Sequence, residues 1–479
     1  RRDALNMSTR RRDDGKTAAP DAHAVWAASE FRNIDLGDAR RAHRLVSLAS
    51  TAARNPGASI PAACGGWNET KAAYRFLANE DIEPQRILEA HREATLGRVA
   101  KHDTVLAVQD TTYLNFGASP ATEGLGPIGE ENTRGMIAHT CLAVSPQGVP
   151  LGVLAQHVWA RPPQAQRLTE KQRRGTPTAK KESQRWLDML ETSARGMPRR
   201  VRVVAVADRE ADIFDFLARA AALGQDVLVR SCYDRATSDG YAWQEAEEAP
   251  VAGTMAVEIP RTGGRPARTV DLELRYTGVK LKKPDPRAHR RPRPVLPLTM
   301  LIARERGAPK GAEPVCWRLL TSLSLDSPED ARRCVAWYAL RWRIERFFYT
   351  LKSGCRTEDL QLKTRSRLSR ALAVFSVVAW RLLALTYAAR ETPEASCRGF
   401  LSEGEWSLAH CVVNRTRDPP VQPPTLRDGV RLIARLGGFL NRKGDGEPGV
   451  KVLWRGFARL NDLVLAADYG SALPRRSYG

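Results

Sequence analysis

Two aspartates and one glutamate occupy positions where carboxylates could hold metal ions. Asp110 follows the apolar run 104–109 (TVLAVQ) and Asp208 follows 201–207 (VRVVAVA), so both are predicted at the carboxyl ends of strands. Glu345 is predicted on a helix that spans 338–352 (YALRWRIERFFYTLK). Three carboxylates from two strands and a helix make a hard oxygen site for Mg²⁺ or Mn²⁺. Two such ions can support an in-line displacement at phosphorus.

Each of these acidic residues also has a simpler structural interpretation. Asp208 could cap the helix that follows it, and Asp110 could end a strand at a turn. Glu345 could pair with Arg341 one helical turn earlier. Spacing alone does not decide between these interpretations and a metal-binding triad.

The helix that carries Glu345 has a narrow polar stripe. No Gly or Pro interrupts 338–352, and the sequence SPED at 327–330 is typical of a helix start. At about 100° per residue, Tyr338, Arg341, Glu345 and Lys352 fall within an arc of roughly 60°. One carboxylate among cations and a phenol suits a face that binds a metal ion and a phosphate backbone together.

The composition indicates a large, strongly basic protein. Its 479 residues exceed the size of a single core, and 42% hydrophobic residues with 11 Trp are enough to build more than one. The net charge of +21, from 75 basic and 54 acidic residues, predicts a polyanionic partner. Nucleic acid is the first candidate and an anionic membrane surface the second.

The cysteines and the most apolar segment indicate a cytoplasmic protein without a membrane span. The eight cysteines form no CxxC pair, so we expect reduced thiols, with neither a disulfide framework nor a zinc site. No signal peptide is recognised. The apolar run 371–389 is short for a membrane span and is broken by Arg381, so a buried helix is predicted there.

Helical patterns dominate the two ends of the chain. Residues 1–20 are predicted to be a disordered basic tail. Residues 21–102 are predicted to be a helical domain, which could bind DNA or serve only for packing. The last domain, 391–479, begins with a segment rich in Pro and Gly (391–424) and is then helical through 425–469.

Between these ends the pattern is that of an α/β domain, assigned to 103–390. Helices are predicted at 182–195 and 211–222. Strands are predicted at 104–109, 140–145, 151–159, 201–207 and 226–230. A β-rich insertion of about 231–322 follows, with a basic linker at 280–293. Its alternating segments are 254–260, 269–276, 298–304 and 316–322.

Several motifs resemble one family of bacterial transposases. The spacing Tyr338-x2-Arg341-x3-Glu345-x6-Lys352 is similar to the Y-R-E-K signature of the insertion-sequence-four family, and the surrounding sequence most resembles its Tn-five-type cut-and-paste members. The similarity spans nearly the whole chain. In chain order the further motifs are SIPAA, AAYRFLANEDIEPQRI, QDTT, VADREADI, VLVRS, CWRLLTS and IARLGGF.

The resemblance implies an RNase H-like DDE catalytic core with a β-rich insertion, flanked by an N-terminal DNA-binding domain and a C-terminal dimerisation domain. It implies Asp110, Asp208 and Glu345 as the catalytic triad. These residues would hold two Mg²⁺ ions, with Mn²⁺ as a substitute and Asp110 bridging both. The partners implied are double-stranded DNA and a second copy of the chain, joined through helices near 432–439 and 453–465.

The resemblance also implies a set of DNA contacts. Tyr338, Arg341 and Lys352 would grip a terminal phosphate beside a flipped base. Trp317 would stack on that base, although an ordinary core tryptophan is the alternative, and Arg230 would contact the transposon end. Trp342 could be a second stacking ring or core. The chain departs from its close relative at Tyr349, where that relative has a second lysine.

The implied activity is excision through nicking, hairpin formation and hairpin opening, followed by joining of the 3′-OH ends to target DNA. Two other functions remain open. A DDE-fold nuclease would cut DNA without joining it, and a DNA-binding inhibitor of transposition would lack catalysis.

Overall fold

The computed structural model describes residues 21–129, 133–162, 176, 178–259, 267–284, 294–309 and 313–470. It has an N-terminal helical part, a central mixed sheet with helices on both faces and a C-terminal helical part. The predicted α/β class and its helical flanks are therefore confirmed. The predicted tail 1–20 and the part 285–293 of the basic linker lie outside the described residues.

The N-terminal part contains short helices whose starts are fixed by local signals. The Asp38 side chain caps α2, and Pro84 is the first residue of α5, as its sequence predicts. Helix α1 is rich in Ala, and α3 has only one turn, with the Ser59 side chain at its start. The helices are α1 (Ala22–Glu30), α2 (Ala39–Arg54), α3 (Ile60–Cys64), α4 (Trp67–Ala78) and α5 (Pro84–Val99).

The central sheet begins with an antiparallel hairpin and continues with parallel strands. In space the order is β2-β3-β1-β5-β6-β10-β9-β8-β7, and β4 pairs with β3. Strand β1 is antiparallel to β3 and parallel to β5, which is parallel to β6. This is the arrangement expected of the RNase H-like core. The strands are β1 (Thr104–Asn115), β2 (Gly126–Pro127), β3 (Arg134–Val144), β4 (Pro150–Trp159), β5 (Arg202–Ala207), β6 (Asp226–Arg230), β7 (Gly253–Ile259), β8 (Arg268–Lys282), β9 (Val295–Glu305) and β10 (Cys316–Thr321).

The strands of the predicted insertion extend this sheet. Strand β10 pairs antiparallel with β6, with Leu319 opposite Arg230, and β9, β8 and β7 follow as a meander. Without β10, the outer edge of β6 would expose unpaired backbone groups. The insertion and the core therefore form one hydrogen-bonded sheet.

Helices cover both faces of the sheet. Trp186 and Phe216 belong to the apolar cluster on one face, whereas Phe347 and Val374 belong to that on the other. The core helices are α6 (Gln184–Ala194), α7 (Phe214–Ala222), α8 (Ala242–Glu248), α9 (Pro328–Ala339), α10 (Trp342–Tyr349) and α11 (Arg365–Glu391). Among the described residues, α11 is the helix long and apolar enough to cross a membrane, but 89% of its apolar window is buried. The predicted buried helix is confirmed.

The C-terminal part packs around the end of α11. It contains α12 (Glu403–Asn414), α13 (Leu426–Leu436) and α14 (Val450–Gly470). Helix α12 lies within the segment rich in Pro and Gly and was not predicted; a capping box of Ser402 and Glu405 starts it. Helices α13 and α14 approach closely at Gly456, where an added Cβ would lie 1.9 Å from the Ile433 carbonyl oxygen.

Candidate active site

Asp110 lies within a strand and not at its end. Strand β1 continues to Asn115, and Asp110 is opposite Thr140 of β3. The interpretation of Asp110 as a strand-ending turn residue is therefore wrong. The last parallel pair of β1 and β5 is Val108 with Val206. Asp110 and Asp208 each lie two residues beyond this pair, so both are at the same end of the sheet and point to the same face.

Asp208 does cap the turn that follows it. Its Oδ1 accepts a hydrogen bond of 2.9 Å from the Glu210 backbone N–H, which starts a single turn of 3₁₀-helix, Arg209–Ala211. The same carboxylate also lines the cleft that contains Asp110 and Glu345. The capping interpretation and the site interpretation are thus compatible, because only one oxygen is needed for the cap.

The predicted continuous helix over 338–352 is wrong in detail. Helix α9 ends at Ala339, and α10 starts at Trp342 and ends at Tyr349. A π-helical turn, Thr350–Gly354, then follows. Arg341 lies in the break, so its side chain turns towards β1, and Lys352 lies in the wider π turn. Such turns are frequently found at functional sites.

Arg341 connects two of the three acidic residues. Its Nη1 lies 3.1 Å from Asp110 Oδ2, and its Nη2 pairs with Glu345. The predicted pairing of Glu345 with Arg341 is therefore present, and the same guanidinium also neutralises Asp110. Burial works against the charge of Arg341, but Tyr338, Glu345 and Asp110 outweigh it and keep the pKa of the guanidinium above its ordinary value.

The electrostatics of the cleft favour a bound cation. Burial raises the pKa of Asp110 to about 7; the negative charges of Asp208 and Glu345 add to this effect, and Arg341 offsets part of it. Among the residues that the structure describes, His, Cys, Asp and Glu side chains form no ready-made metal-binding group of three or more. The donor set of Asp110, Asp208 and Glu345 nevertheless fits Mg²⁺ in its chemistry, since it offers hard oxygens and excess negative charge.

Five of the predicted residues meet in this cleft of about 490 Å³. They are Asp110, Asp208, Arg341, Glu345 and Lys352. The Lys352 Nζ donates to the Tyr113 carbonyl oxygen at 2.8 Å and lies 3.4 Å from Glu358 Oε1. The cleft is thus acidic on its sheet side and basic where the π turn borders it.

The predicted base-binding group lies behind the cleft. Trp317 and Tyr338 are buried, with 5% and 4% exposed, and their ring centroids are 5.3 Å apart. Trp342 meets Trp317 edge-on at 6.1 Å and is only partly buried. The sequence predicted Tyr338 on a polar stripe with Arg341, Glu345 and Lys352, whereas the structure buries its ring in the core.

Arg230 also lies within this aromatic region. Its Nη2 donates to the Cys316 carbonyl oxygen at 3.3 Å. Burial lowers the pKa of its guanidinium, and the adjacent Tyr338 offsets part of this effect. Arg230 is therefore held behind Tyr338 by β10, and not at the open side of the cleft.

Sequence reasoning missed a residue that joins the two aspartate segments. Arg185 of α6 donates from Nε to the Thr111 hydroxyl at 3.1 Å and pairs through Nη2 with Glu210. Thr111 follows Asp110, and the Glu210 N–H is the group that Asp208 caps. Thr111 also lies 2.9 Å from the Nδ1 of buried His139. A basic residue three positions after a predicted helix start carries no signal that could have revealed this role.

Three family models match the chain in order. The model described as Transposase DNA-binding matches residues 23–82, and the Transposase DDE domain matches 171–379. The Transposase Tn5 dimerisation domain matches 377–477. These domains indicate a Tn5-like DDE transposase.

The matches assign a part of this transposase to each region of the fold. The DNA-binding match begins at the second residue of α1, contains α2, α3 and α4, and lies on the N-terminal helical part. The DDE match contains Asp208 and Glu345, whereas Asp110 precedes its first residue. The dimerisation match begins within α11 and contains α12, α13 and α14. The transposase thus has a DNA-binding domain, a catalytic-type domain and a dimerisation domain in one chain.

Proposed function

We propose that this transposase excises a DNA element at its ends and joins it to target DNA, as a member of the insertion-sequence-four family with its Y-R-E-K spacing. The observation that carries the proposal is the single cleft that contains Asp110, Asp208 and Glu345 in a chain with DNA-binding, DDE and dimerisation matches. The steps are nicking by water, hairpin formation by the freed 3′-OH, hairpin opening and strand transfer.

Asp110, Asp208 and Glu345 are proposed to hold two Mg²⁺ ions, for which Mn²⁺ could substitute. When bound, these ions supply Lewis-acid activation and neutralise the charge that develops on the phosphate. The pKa of about 7 for Asp110 supports this assignment, because a carboxyl group that is costly to ionise alone is stabilised by an added cation.

Arg341 is proposed to exchange partners when DNA binds. In the DNA-free structure its guanidinium satisfies Asp110 and Glu345. The planar fork of N–H donors on Arg341 would hold the phosphate beside the scissile bond. Lys352 would hold the same strand from the other side, and the Tyr338 hydroxyl would orient Arg341.

The aromatic group behind the cleft is proposed to receive a flipped base. Unstacking a base costs a few kcal/mol, and an aromatic partner returns about 1–3 kcal/mol. Trp317 is the predicted partner, with Arg230 contacting the transposon end and Trp342 as a second ring. Since Trp317 is only 5% exposed, a base can reach it only if Trp342 or Tyr338 moves aside.

The active form is proposed to be a synaptic homodimer on two double-stranded transposon ends, in the bacterial cytoplasm at the nucleoid. The dimerisation match supports the homodimer, and the DNA-binding match supports the nucleic-acid partner. In such a dimer each subunit cuts the end that the other binds, through contacts around 432–439 and 453–465.

The test is excision of DNA that carries the inverted repeats flanking the gene. Wild-type protein with Mg²⁺ is expected to nick, form hairpins and join the ends, and Glu345→Ala is expected to do none of these while still binding the DNA. The matched control is Asp359→Ala, which removes an exposed carboxylate that pairs with Arg356 and does not line the cleft, and it should leave all three steps intact. Nicking without joining would indicate a nuclease, and binding without metal-dependent cutting would indicate a transposition inhibitor.

A further inference from the structure

A second depression lies on the other side of α10 from the acidic cleft. This outer groove, about 950 Å³, runs between α9–α10 and the strands β7 and β8. Its floor is apolar and includes Met255, Val257 and Leu340. Glu345 and Tyr349 line both the outer groove and the acidic cleft, so the two depressions adjoin along α10.

The walls of the outer groove alternate cationic and aromatic side chains. Arg343 stacks on Tyr387, with its guanidinium carbon 4.0 Å from the ring centroid, and donates to the Gly148 carbonyl oxygen at 2.9 Å. Arg346 lies over Tyr349 at 5.1 Å. Trp342 adds a third partly buried ring. Aromatic faces beside cations are typical of surfaces that bind single-stranded nucleic acid.

Arg346 differs from the other arginines of the outer groove. Arg268 is paired with Glu305, and Arg343 is held by its carbonyl partner. Within the described ranges, the exposed guanidinium of Arg346 has no hydrogen bond or ion pair, and Tyr349 is the ring beneath it. A stacked, unpaired guanidinium is oriented for a new acceptor at little entropic cost.

Tyr349 is in turn fixed from the dimerisation domain. Its ring centroid lies 5.3 Å from that of Trp454 in α14. The Trp454 ring also packs against Gly354 of the π turn, where an added Cβ would lie 2.7 Å from it. The contact with Trp454 therefore restricts the rotation of the Tyr349 side chain while one face of its ring stays against Arg346. A ring held in this way is suited to stacking on a base.

We propose that the outer groove binds the single strand of DNA that continues beyond the phosphate held in the acidic cleft, with Arg346 on its backbone and Trp342 and Tyr349 against its bases. This inference rests on the proposed function. The proposal also gives Tyr349 a role. Where a close relative has a lysine, this chain has an aromatic ring, and that ring would hold the Arg346 side chain, one helical turn earlier, against the DNA strand.

The test compares two DNA probes with full-length protein by fluorescence anisotropy. One is a blunt duplex that carries the flanking inverted repeat, and the other is the same duplex with an oligo(dT) extension at the cleavage position. Wild-type protein is expected to bind the extended probe more tightly than the blunt one. Arg346→Ala should shrink that difference roughly tenfold. The salt dependence of binding to the extended probe should become shallower by roughly 0.7 in log–log slope, as expected for one lost single-strand phosphate contact.

Two further variants make the result specific. Arg346→Lys keeps the charge but loses planar stacking on Tyr349, so it should restore the salt slope and only part of the affinity difference. Arg219→Ala is the matched control, since Arg219 is exposed and paired with Glu191 on the opposite face of the sheet. It should leave the difference between the probes unchanged.

The outcomes separate the two proposals. If wild-type protein binds neither probe specifically, the proposed function fails together with this inference. If wild type prefers the extended probe and Arg346→Ala keeps the full preference, the inference alone is overturned. Equal weakening of both probes by Arg346→Ala would mean that the outer groove binds duplex DNA, and this also overturns the single-strand proposal.

Discussion

A buried ionic cluster joins the DNA-binding domain to the catalytic sheet and allows a quantitative prediction. Glu30 of α1, 3% exposed in its side chain, accepts from His91 Nδ1 at 2.6 Å and from Arg98 at 2.9 and 3.0 Å. The Val153 backbone N–H of β4 donates to His91 Nε2 at 2.8 Å. The His91 Nδ1 therefore carries the hydrogen that Glu30 accepts, and burial of the ring lowers the pKa of His91.

The contribution of this cluster to the free energy of unfolding follows from the pKa of Glu30. Burial alone would raise this pKa, but His91 and Arg98 lower it from 4.5 to about 2. That difference corresponds to about 3 kcal/mol of the free energy of unfolding. Because the folded-state pKa lies below the ordinary one, the contribution is fully present above pH 4.5 and is lost as the pH falls towards 2.

The perturbation is Glu30→Gln, which keeps the shape and removes the charge. At pH 7 the free energy of unfolding by urea should fall by about 3 kcal/mol relative to wild type. The difference should stay constant down to about pH 5 and then shrink by about 1.4 kcal/mol per pH unit below pH 4.5. Tryptophan fluorescence reports this region directly, since the Trp380 ring lies 4.8 Å from His91 and 4.1 Å from the Arg98 guanidinium.

Glu89→Gln is the control, because Glu89 is exposed on the same helix α5 and the substitution changes the same charge. It should alter the free energy of unfolding by less than about 0.5 kcal/mol. Equal stability of Glu30→Gln and wild type at pH 7 would refute the reasoning. So would a difference that does not shrink between pH 4.5 and 3.5, since the effect would then be steric and not ionic.

Two further predictions concern positioning and close packing. Arg185→Met should slow first-strand nicking about a hundredfold through misplacement of both aspartates, while Arg219→Ala, a paired surface arginine on α7, should not. A raised Mg²⁺ requirement for half-maximal nicking would distinguish this from simple loss of stability, and an unchanged requirement would refute the positioning role. Gly456→Ala should lower the free energy of unfolding by about 1–3 kcal/mol, because its Cβ would meet the Ile433 carbonyl. Gly404→Ala in α12, which meets nothing within 4 Å, should not destabilise the fold, and equal effects of both in urea denaturation would contradict the close-packing argument.

The strands that frame the acidic cleft were predictable because their signal is local. The run 201–207 is apolar except for Arg202, as expected of a strand buried on both faces, and β5 spans Arg202–Ala207. Strand β6 has the predicted bounds, Asp226–Arg230. Strand β1 was cut short at Asp110 because its polar residues beyond that point resemble a turn. Pairing with β3 carries it to Asn115.

The details of the Glu345 helix depend on contacts that spacing cannot show. The residues 338–352 have no helix breaker, so local propensity predicts one helix. The break at Arg341 coincides with its bond to Asp110, a residue 231 positions away in the chain. The π turn coincides with the packing of Gly354 against Trp454. Both are tertiary effects, and they also explain why Tyr338 is buried and not on the stripe.

The π turn changes what the residue spacing of the signature means. A π-helical turn advances less per residue than an α-helical one, so Lys352 is rotated away from the line through Arg341 and Glu345 and reaches the Tyr113 carbonyl of β1. The number of residues between Glu345 and Lys352 therefore does not give the angle between their side chains on an α-helix, because the last part of this segment is a π turn. Deleting Thr350 or Leu351, which precede the lysine in this turn, should convert the turn to α-helix and redirect the lysine while all four side chains of the signature are kept. In this chain, the length of the segment before Lys352 sets the direction of the lysine as effectively as a substitution would.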